Sequence, residues 1–266
     1  MRITNRWTGA ITGKGTAYGG SAGRTEATGY GCVYFLEHIL NQHSRKLKGS
    51  KVAISGSGNV ALYAAEKVLQ KKAKVVTLSD SSGFIYAAKG ITREQLDFII
   101  ELKEERRGRI SEAADKFADI DYHDKKKPWG VDCDVALPCA TQNEISLSDA
   151  EDLVKNGVKA VCEGANMPTD AEAMEHFQNN EVLFGPGKAA NAGGVAVSGL
   201  EQSQNAMRIS WSKEEVDLRL HEIMTNIHTK CVEQGSRGKG PVDYVDGANI
   251  AGFLKVAEAM LAYGAV

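Results

Sequence analysis

The sequence lacks several features that would mark a specialised class of protein. It has no run that approaches the roughly 18 apolar residues of a membrane-spanning helix, and residues 1–6 contain no apolar signal-peptide core. Its 32 basic and 34 acidic side chains leave a formal charge of −2, which gives no electrostatic basis for binding nucleic acid or an anionic membrane. We therefore expect a globular chain that binds neither.

Cysteine and proline are also scarce. The five cysteines, at positions 32, 133, 139, 162 and 231, form no C-x-x-C pair, so we expect neither a disulfide framework nor a structural zinc site. This cysteine usage is typical of a reducing interior and predicts a cytoplasmic location. The six histidines have no ligand spacing, and no metal site is predicted. With 28 glycines against five prolines, the chain is expected to make many tight turns.

Short apolar runs alternate with glycine turns and helical patterns. Residues 51–55 (KVAIS) and 74–78 (KVVTL) predict two strands, with a helix over 59–72 between them. Further strands are predicted at 131–137, 158–162 and 182–184. Capping boxes predict helix starts at Thr92/Gln95, Ser148/Glu151, Thr169/Glu172 and Ser212/Glu215. The alternation predicts an α/β fold, a Rossmann-type doubly wound sheet that is mostly parallel.

The predicted strands stop after about residue 190. Apolar residues then recur at helical spacing and predict a long amphipathic helix: Val216, Leu220, Ile223, Met224, Ile227 and Cys231. On this helix, His221 and His228 are expected to face solvent. A basic, glycine-rich loop at 235–240 precedes a last helix. We predict a dinucleotide-binding domain at 1–210 and C-terminal helices at 211–266 that pack on it.

The strongest single motif is a glycine turn between the first strand and the first predicted crossover helix. Gly56-Ser57-Gly58-Asn59-Val60-Ala61 reads G-x-G-x-x-A, in which the glycines permit a sharp turn and a close approach of pyrophosphate to the backbone. The alternative is a tight turn without a ligand. Asp80 ends the second strand, where a carboxylate usually binds the ribose 2′-hydroxyl of NAD. Ser81 and Ser82 would instead suit the 2′-phosphate of NADP.

Several further strings are not required by the fold alone. They are GGS at 19–21, RTEATGYG at 24–31, LPCATQN at 137–143, EGANMP at 163–168 and KAANAGGVAVSG at 188–199. Together with SGSGNVA at 55–61, they resemble the hexameric glutamate dehydrogenases of bacteria and lower eukaryotes. The resemblance runs over essentially the whole chain, but it covers only the cofactor-binding, C-terminal part of such an enzyme.

The resemblance implies a role for each matching residue. The dinucleotide would contact Thr28, Gly56, Ser57, Gly58, Asn59 and Val60, with Asp80 and Ser81 at its adenosine ribose. Ala140 and Thr141 would lie at the nicotinamide-side ribose, and Asn166 and Asn191 at the nicotinamide. Val195 and Ser198 would reach the substrate, Ser198 by a hydrogen bond to the side-chain carboxylate of the substrate, with Arg24 of the first helix near the cleft. The string SDSSG at 79–83 resembles members that prefer NADP, so the resemblance favours NADP over NAD.

The family's reaction also uses a domain that nothing in these 266 residues resembles. That domain carries a G-G-G-K-G-G segment, a lysine and an aspartate, so no catalytic residue is assigned here. The implied reaction is the reversible oxidative deamination of L-glutamate to 2-oxoglutarate and ammonia, and this chain alone is expected to bind cofactor without turnover. We expect an excised or truncated piece that is monomeric or weakly associated, whereas the full-length protein would be a homo-hexamer.

Two other functions remain open from the sequence. One is a branched-chain or aromatic amino-acid dehydrogenase on the same scaffold, whose substrate pocket would need no partner for a carboxylate at Ser198. The other is a nucleotide-binding module without catalysis, which the missing lysine domain would favour.

Overall fold

A computed structural model describes residues 9–236, 238 and 241–264 of the chain. The strands within these residues are β1 (Lys51–Ile54), β2 (Lys74–Asp80), β3 (Gly83–Tyr86), β4 (Asp121–Asp124), β5 (Val135–Leu137), β6 (Ala160–Cys162) and β7 (Leu183–Gly185). The helices are α1 (Ala27–Gln42), α2 (Asn59–Gln70), α3 (Arg93–Glu104), α4 (Glu112–Lys116), α5 (Leu147–Lys155), α6 (Ala171–Asn179), α7 (Gly187–Ala190), α8 (Gly193–Met207), α9 (Lys213–Gly235) and α10 (Tyr244–Tyr263). Three residues of the predicted basic loop, Arg237, Lys239 and Gly240, lie outside the described residues, as do residues 1–8.

The strands form one sheet in the order β4-β3-β2-β1-β5-β6-β7. β2, β1, β5, β6 and β7 are parallel, whereas β3 runs antiparallel to both β2 and β4. The predicted mostly parallel, doubly wound sheet is thus confirmed. Because β1 lies between β2 and β5, the crossovers change side at β1, and ligands of such sheets bind outside the carboxyl ends of the strands at that point.

The antiparallel pair of β3 and β4, whose strands are joined through α3 and α4, was not predicted from the sequence. β4 lies at the edge of the sheet and has the sequence DYHD, none of which is buried. An exposed, charged edge strand lacks the apolar run by which a strand is recognised. The predicted strand at 131–137 was in turn too long, since only Val135–Leu137 pair with β1 and β6.

Two of the four predicted capping boxes are present, Thr92/Gln95 and Ser212/Glu215. The Ser148/Glu151 prediction is wrong, because α5 begins earlier and Ser146 donates from both N and Oγ to the carboxylate of Asp149, at 2.9 and 2.7 Å. The Thr169/Glu172 prediction is wrong as well. Thr169 pairs with Ile145 in a short parallel bridge, which moves the start of α6 to the next residue.

Helix α1 lies at the centre of the packing, between the sheet and the C-terminal helices, and most of its residues are buried. Two glycines allow its neighbours to approach. A Cβ on Gly29 would lie 2.5 Å from the backbone N of Ala64 in α2, and one on Gly31 would lie 3.0 Å from Cα of Gly193 in α8. The glycines of the ATGYG string are therefore required by helix packing.

Helices α9 and α10 complete the fold, and the buried face of α9 belongs to the same apolar core as α1. The division of the chain at 210/211 remains a prediction. Across the described residues, no helix combines the length and the apolar content that crossing a membrane requires.

The predicted solvent exposure of His228 is wrong. Its side chain is buried between α1 and α10, with its ring 5.7 Å from that of Phe35 and its Nε2 3.3 Å from the hydroxyl of Tyr244. The buried face of α9 is wider than the stripe of its apolar residues, because both α1 and α10 pack against this helix. Burial, together with the smaller effects of the neighbouring His38 and His43, lowers the pKa of His228 to about 4.

Acidification should destabilise the chain through His228. Its pKa lies below the ordinary 6.5, so its contribution to stability is complete above about pH 6.5 and is lost as the pH falls towards about 4. Replacing His228 by Gln should remove on the order of 1–2 kcal/mol of this pH-dependent change after solvent screening. Urea unfolding at about pH 7.5 and about pH 5 measures the difference. His176→Gln on α6 is the control, and an unchanged pH dependence in His228→Gln would contradict the assignment.

Candidate functional site

Two neighbouring cavities lie at the carboxyl ends of the central strands. The turn cavity, of about 450 Å³, adjoins the turn that follows β1, and the helix cavity, of about 530 Å³, lies between α1, α8 and the loop after β6. Both cavities are lined by Cys139, Ala140 and Thr141, from the loop after β5. The two cavities thus share one wall at the switch point of the sheet, and together we call them the cleft.

Most of the predicted site residues line this cleft. The turn cavity is lined by Gly56, Ser57, Gly58, Asp80, Ser81, Ala140 and Thr141. The helix cavity is lined by Thr28, Val60, Asn166, Asn191 and Val195, together with Ala140 and Thr141. Two predicted residues lie beside the cleft: Asn59 is the first residue of α2, and Ser198 lies on α8.

The two glycines of the turn after β1 have different roles. Gly56 has a φ of +87°, and a Cβ there would lie 2.9 Å from the carbonyl oxygen of Cys139. Its own N–H donates to Ser79 Oγ at 2.8 Å. Gly58 has an ordinary φ of −89°, and a Cβ there would meet no atom within 4 Å. The fold therefore requires Gly56, whereas Gly58 leaves space open at the amino end of α2.

The shared loop is held by side-chain acceptors from two elements. Cys139 N donates to Ser55 Oγ at 2.9 Å, and the amides of Ala140 and Thr141 both donate to Oε1 of Glu144, at 3.0 and 3.3 Å. Burial raises the pKa of Glu144, although the hydrogen bonds from Ser55 and the two amides act in the opposite direction. Glu144 was not singled out from the sequence, since its position in the loop gives no motif.

Asp80 is held by donors of the protein itself. One carboxylate oxygen accepts from the backbone N and the hydroxyl of Ser82, and the other accepts from Ile110 N at 2.9 Å and from Lys103 Nζ at 3.3 Å. Burial by itself would raise the pKa of Asp80, but these hydrogen bonds and the charge of Lys103 outweigh it and lower the pKa. The carboxylate is therefore ionised and surrounded by internal donors.

Cationic side chains lie next to Asp80. Arg109 Nη1 donates to Ser81 Oγ at 2.9 Å, and Lys126 and Lys127 line the turn cavity. Lys127 is already engaged, because its Nζ lies 2.7 Å from Asp149 Oδ2. Arg109 was missed in the sequence because it follows Ser81 only after the whole of β3 and α3.

The far end of the helix cavity carries two asparagines in contact. Asn191 Nδ2 donates to Asn166 Oδ1 at 2.8 Å and to the carbonyl oxygen of Ala165 at 3.2 Å. Thr28 faces them from α1, and a Cβ on Gly194 would lie 2.2 Å from its hydroxyl oxygen. Gly194 thus allows α8 to approach the hydroxyl of Thr28.

Ser198 lies at the centre of a polar cluster behind the helix cavity. Arg24 Nε donates to Ser198 Oγ at 2.8 Å, and Thr12 Oγ1 lies 3.2 Å from the same oxygen. The placement of Arg24 in the first helix is wrong, because α1 begins only at Ala27. Glu201, one turn after Ser198, is fully buried and accepts from Gly13 N at 2.9 Å. The loop that carries Thr12 is thereby fixed over Ser198.

The cysteines beside the cleft are not activated. Burial raises the pKa of the Cys139 and Cys162 thiols well above their usual range, so both are protonated. All five cysteines are buried and carry free thiols. Within residues 9–236, 238 and 241–264, no group of His, Cys, Asp and Glu side chains is arranged to hold a metal ion.

The strand order and the glycine turn at the switch point define a Rossmann-type α/β domain. Residues 19–264 match the model of the Glutamate/Leucine/Phenylalanine/Valine dehydrogenase family. The chain belongs to this family.

Named relatives share about half of their residues with the chain. It is 54% identical over 263 residues to the NAD(P)-specific glutamate dehydrogenase of Xylanibacter ruminicola, covering 99% of this chain and 59% of that protein. It is 54% identical over 265 residues to the NADP-specific glutamate dehydrogenase of Escherichia coli, covering 100% and 59%. The crystal structure of Plasmodium falciparum glutamate dehydrogenase superposes with a TM-score of 0.97 at 48% identity, covering 100% of this chain and 57% of that one. The chain spans about 60% of the length of these relatives.

Alanine substitutions should separate the two glycines of the turn. Gly56→Ala should lower the free energy of unfolding by about 2 kcal/mol or more, because it combines a left-handed backbone with a clash against Cys139. Gly58→Ala should cost less than about 1 kcal/mol, the usual range for a helix N-cap. Chemical denaturation of both variants checks the contrast, which equal losses would refute.

Proposed function

We propose that this chain is the NADP-binding part of a glutamate dehydrogenase, which interconverts L-glutamate with 2-oxoglutarate and ammonia. The relatives that support this are NADP-specific glutamate dehydrogenases from Escherichia coli, Haemophilus influenzae and Salmonella typhimurium, each of which the chain matches over 59% of its length. The activity belongs to the whole protein, and this chain supplies the cofactor side of its cleft.

The cleft fits a dinucleotide in its overall form. The open space at Gly58 lies at the amino end of α2, where backbone N–H groups and the helix dipole favour the charge of a pyrophosphate. The turn cavity on one side would receive the adenosine half and the helix cavity the nicotinamide half. Ser57, Asn59 and Val60 would hold the phosphates at the start of α2.

The observation that carries the choice of NADP is the engagement of Asp80. A ribose 2′-hydroxyl would have to compete with four hydrogen bonds that already occupy this carboxylate. Ser81 and the guanidinium of Arg109 instead offer donors at the rim of the turn cavity, with Lys126 nearby. These groups suit a 2′-phosphate, which is an acceptor with two negative charges. NAD is the less favoured cofactor.

At the other end, Asn166 and Asn191 would hold the nicotinamide amide, with Thr28, Ala140 and Thr141 along the adjoining ribose. Val195 and Ser198 would reach the substrate. The Arg24–Ser198 pair supports glutamate over leucine, valine or phenylalanine, because a guanidinium and a hydroxyl suit a side-chain carboxylate. This polar cluster would have no partner on an apolar substrate.

When bound, NADP accepts or donates the hydride of the reaction. The residues of this chain would bind and orient the cofactor, and the lysine that polarises the 2-oxo group and the proton-transferring aspartate would come from the remaining part of the enzyme. We propose that the whole protein is a cytoplasmic homo-hexamer, that the division at 210/211 separates the cofactor domain from its C-terminal helices, and that the isolated chain is monomeric or weakly associated.

Calorimetric titration with NADPH and then NADH tests the proposal, with a glutamate-dependent NADP reduction assay in parallel. We expect NADPH to bind more tightly and the isolated chain to show no turnover. Tighter binding of NADH would overturn the cofactor assignment. Binding of neither dinucleotide would overturn the function.

Arg109→Gln should weaken NADPH binding by about 10- to 100-fold, the range of a lost charge-assisted contact, and leave NADH binding unchanged. Arg107→Gln is the matched control, because Arg107 is an exposed arginine of the same loop. The same loss for both cofactors would show that Arg109 holds the fold of the loop and does not contact a 2′-phosphate.

A further inference from the structure

Glu144 places a half-buried carboxylate in the wall of the turn cavity. Its Oε1 accepts the consecutive amides of Ala140 and Thr141, while Ser55 accepts the preceding amide, that of Cys139. Consecutive N–H groups that point to one spot form an anion-binding nest. Here the nest is already filled by a side chain of the protein, so it is not available to a phosphate.

The filled nest touches the turn that would receive the pyrophosphate. A Cβ on Gly56 would lie 2.9 Å from the Cys139 oxygen and 3.1 Å from Cα of Ala140, and Glu144 and Gly58 line the same cavity. A dinucleotide bound there would bring two phosphate charges into the cavity that already holds this carboxylate. Like charges in one site favour protonation of the weaker acid.

We propose that Glu144 positions the 139–141 loop and takes up a proton from solvent when the pyrophosphate of a dinucleotide enters the turn cavity. This inference rests on the proposed function. The proton goes to the carboxylate of Glu144, whose Oε1 continues to accept the two loop amides. The ionised carboxylate of Glu144 is thereby converted to a neutral carboxylic acid, which does not repel the phosphates.

The charged groups near Glu144 are mostly paired with one another and do not hold its carboxylate in the ionised form. Lys127 donates Nζ to the backbone oxygen of Glu144, but its charge is paired with Asp149 of α5. From the same cavity, Lys126 contributes a cation and Asp80 a carboxylate that is matched by Lys103. The Cys139 thiol is neutral. Burial already raises the pKa of Glu144 in the free chain, so the added phosphates act on a group that titrates above its usual range.

Proton uptake by Glu144 makes the affinity for the dinucleotide depend on pH. Between the pKa of Glu144 in the free chain and the higher pKa in the complex, binding takes up a proton. Affinity for the dinucleotide therefore falls as the pH rises through this interval and is constant below it. A coupling of one pKa unit corresponds to a tenfold change in affinity.

Calorimetry of NADPH binding in buffers of different ionisation enthalpy, from about pH 5.5 to about pH 8, counts the protons. Glu144→Gln keeps an oxygen acceptor for the loop but has no titrating group. We expect the wild type to take up more protons than Glu144→Gln, by up to about one, and the variant to bind up to about tenfold more tightly at the upper pH. Protons lost or gained by the 2′-phosphate cancel in this difference, and NADH, which lacks that phosphate, should give the same result.

Glu151→Gln, an exposed carboxylate of α5, should match the wild type. Glu144→Ala should bind about tenfold more weakly at every pH, because it loses the acceptor of two loop amides. Equal proton counts in wild type and Glu144→Gln would overturn the proton uptake, and wild-type affinity in Glu144→Ala would overturn the positioning role. Absence of dinucleotide binding in the wild type would instead refute the proposed function itself.

Discussion

The contact between the turn after β1 and the loop after β5 determines the rest of the cleft. Gly56 can approach Cys139 only because it lacks a Cβ. This approach brings the ends of β1 and β5 together at the switch point, where the strand order reverses. Both cavities depend on this geometry, since the loop after β5 is their common wall.

Internal carboxylates organise the polar side of this cleft. Asp80 accepts hydrogen bonds from Ser82, Lys103 and Ile110 at the end of β2. Glu144 accepts the amides of the shared loop, and Glu201 accepts an amide of the segment before α1. Each is an acidic residue whose lone pairs are used by the protein. In a fold of this kind, the presence of an acid at a position typical of ligand binding does not establish that the acid binds the ligand. The hydrogen-bond donors that surround the acid decide whether its oxygens are available to a ligand.

The sequence predicted the parts of the molecule that have a local cause. The glycine turn, the parallel core strands and the Thr92/Gln95 cap depend on neighbouring residues and were recognised from them. The β4 edge strand, the burial of His228 and the start of α6 depend on distant contacts: the antiparallel partner β3, two packed helices and the Ile145–Thr169 bridge. Arg109 belongs to the same group, because only the fold brings it beside Ser81, whereas Glu144 lies four residues after Ala140 in a loop that carries no motif.

The wall shared by the two cavities has a thermodynamic consequence for the proposed dinucleotide. Ala140 and Thr141 face both cavities, so the two halves of the ligand would contact the same backbone, which Ser55 and Glu144 already hold in place. The two halves then act as a chelate: once one is bound, the other is held at a high effective concentration against a wall that is already in place. Separate mononucleotides would each lose their own translational and rotational freedom on binding, and their affinities would combine to less than that of the joined molecule.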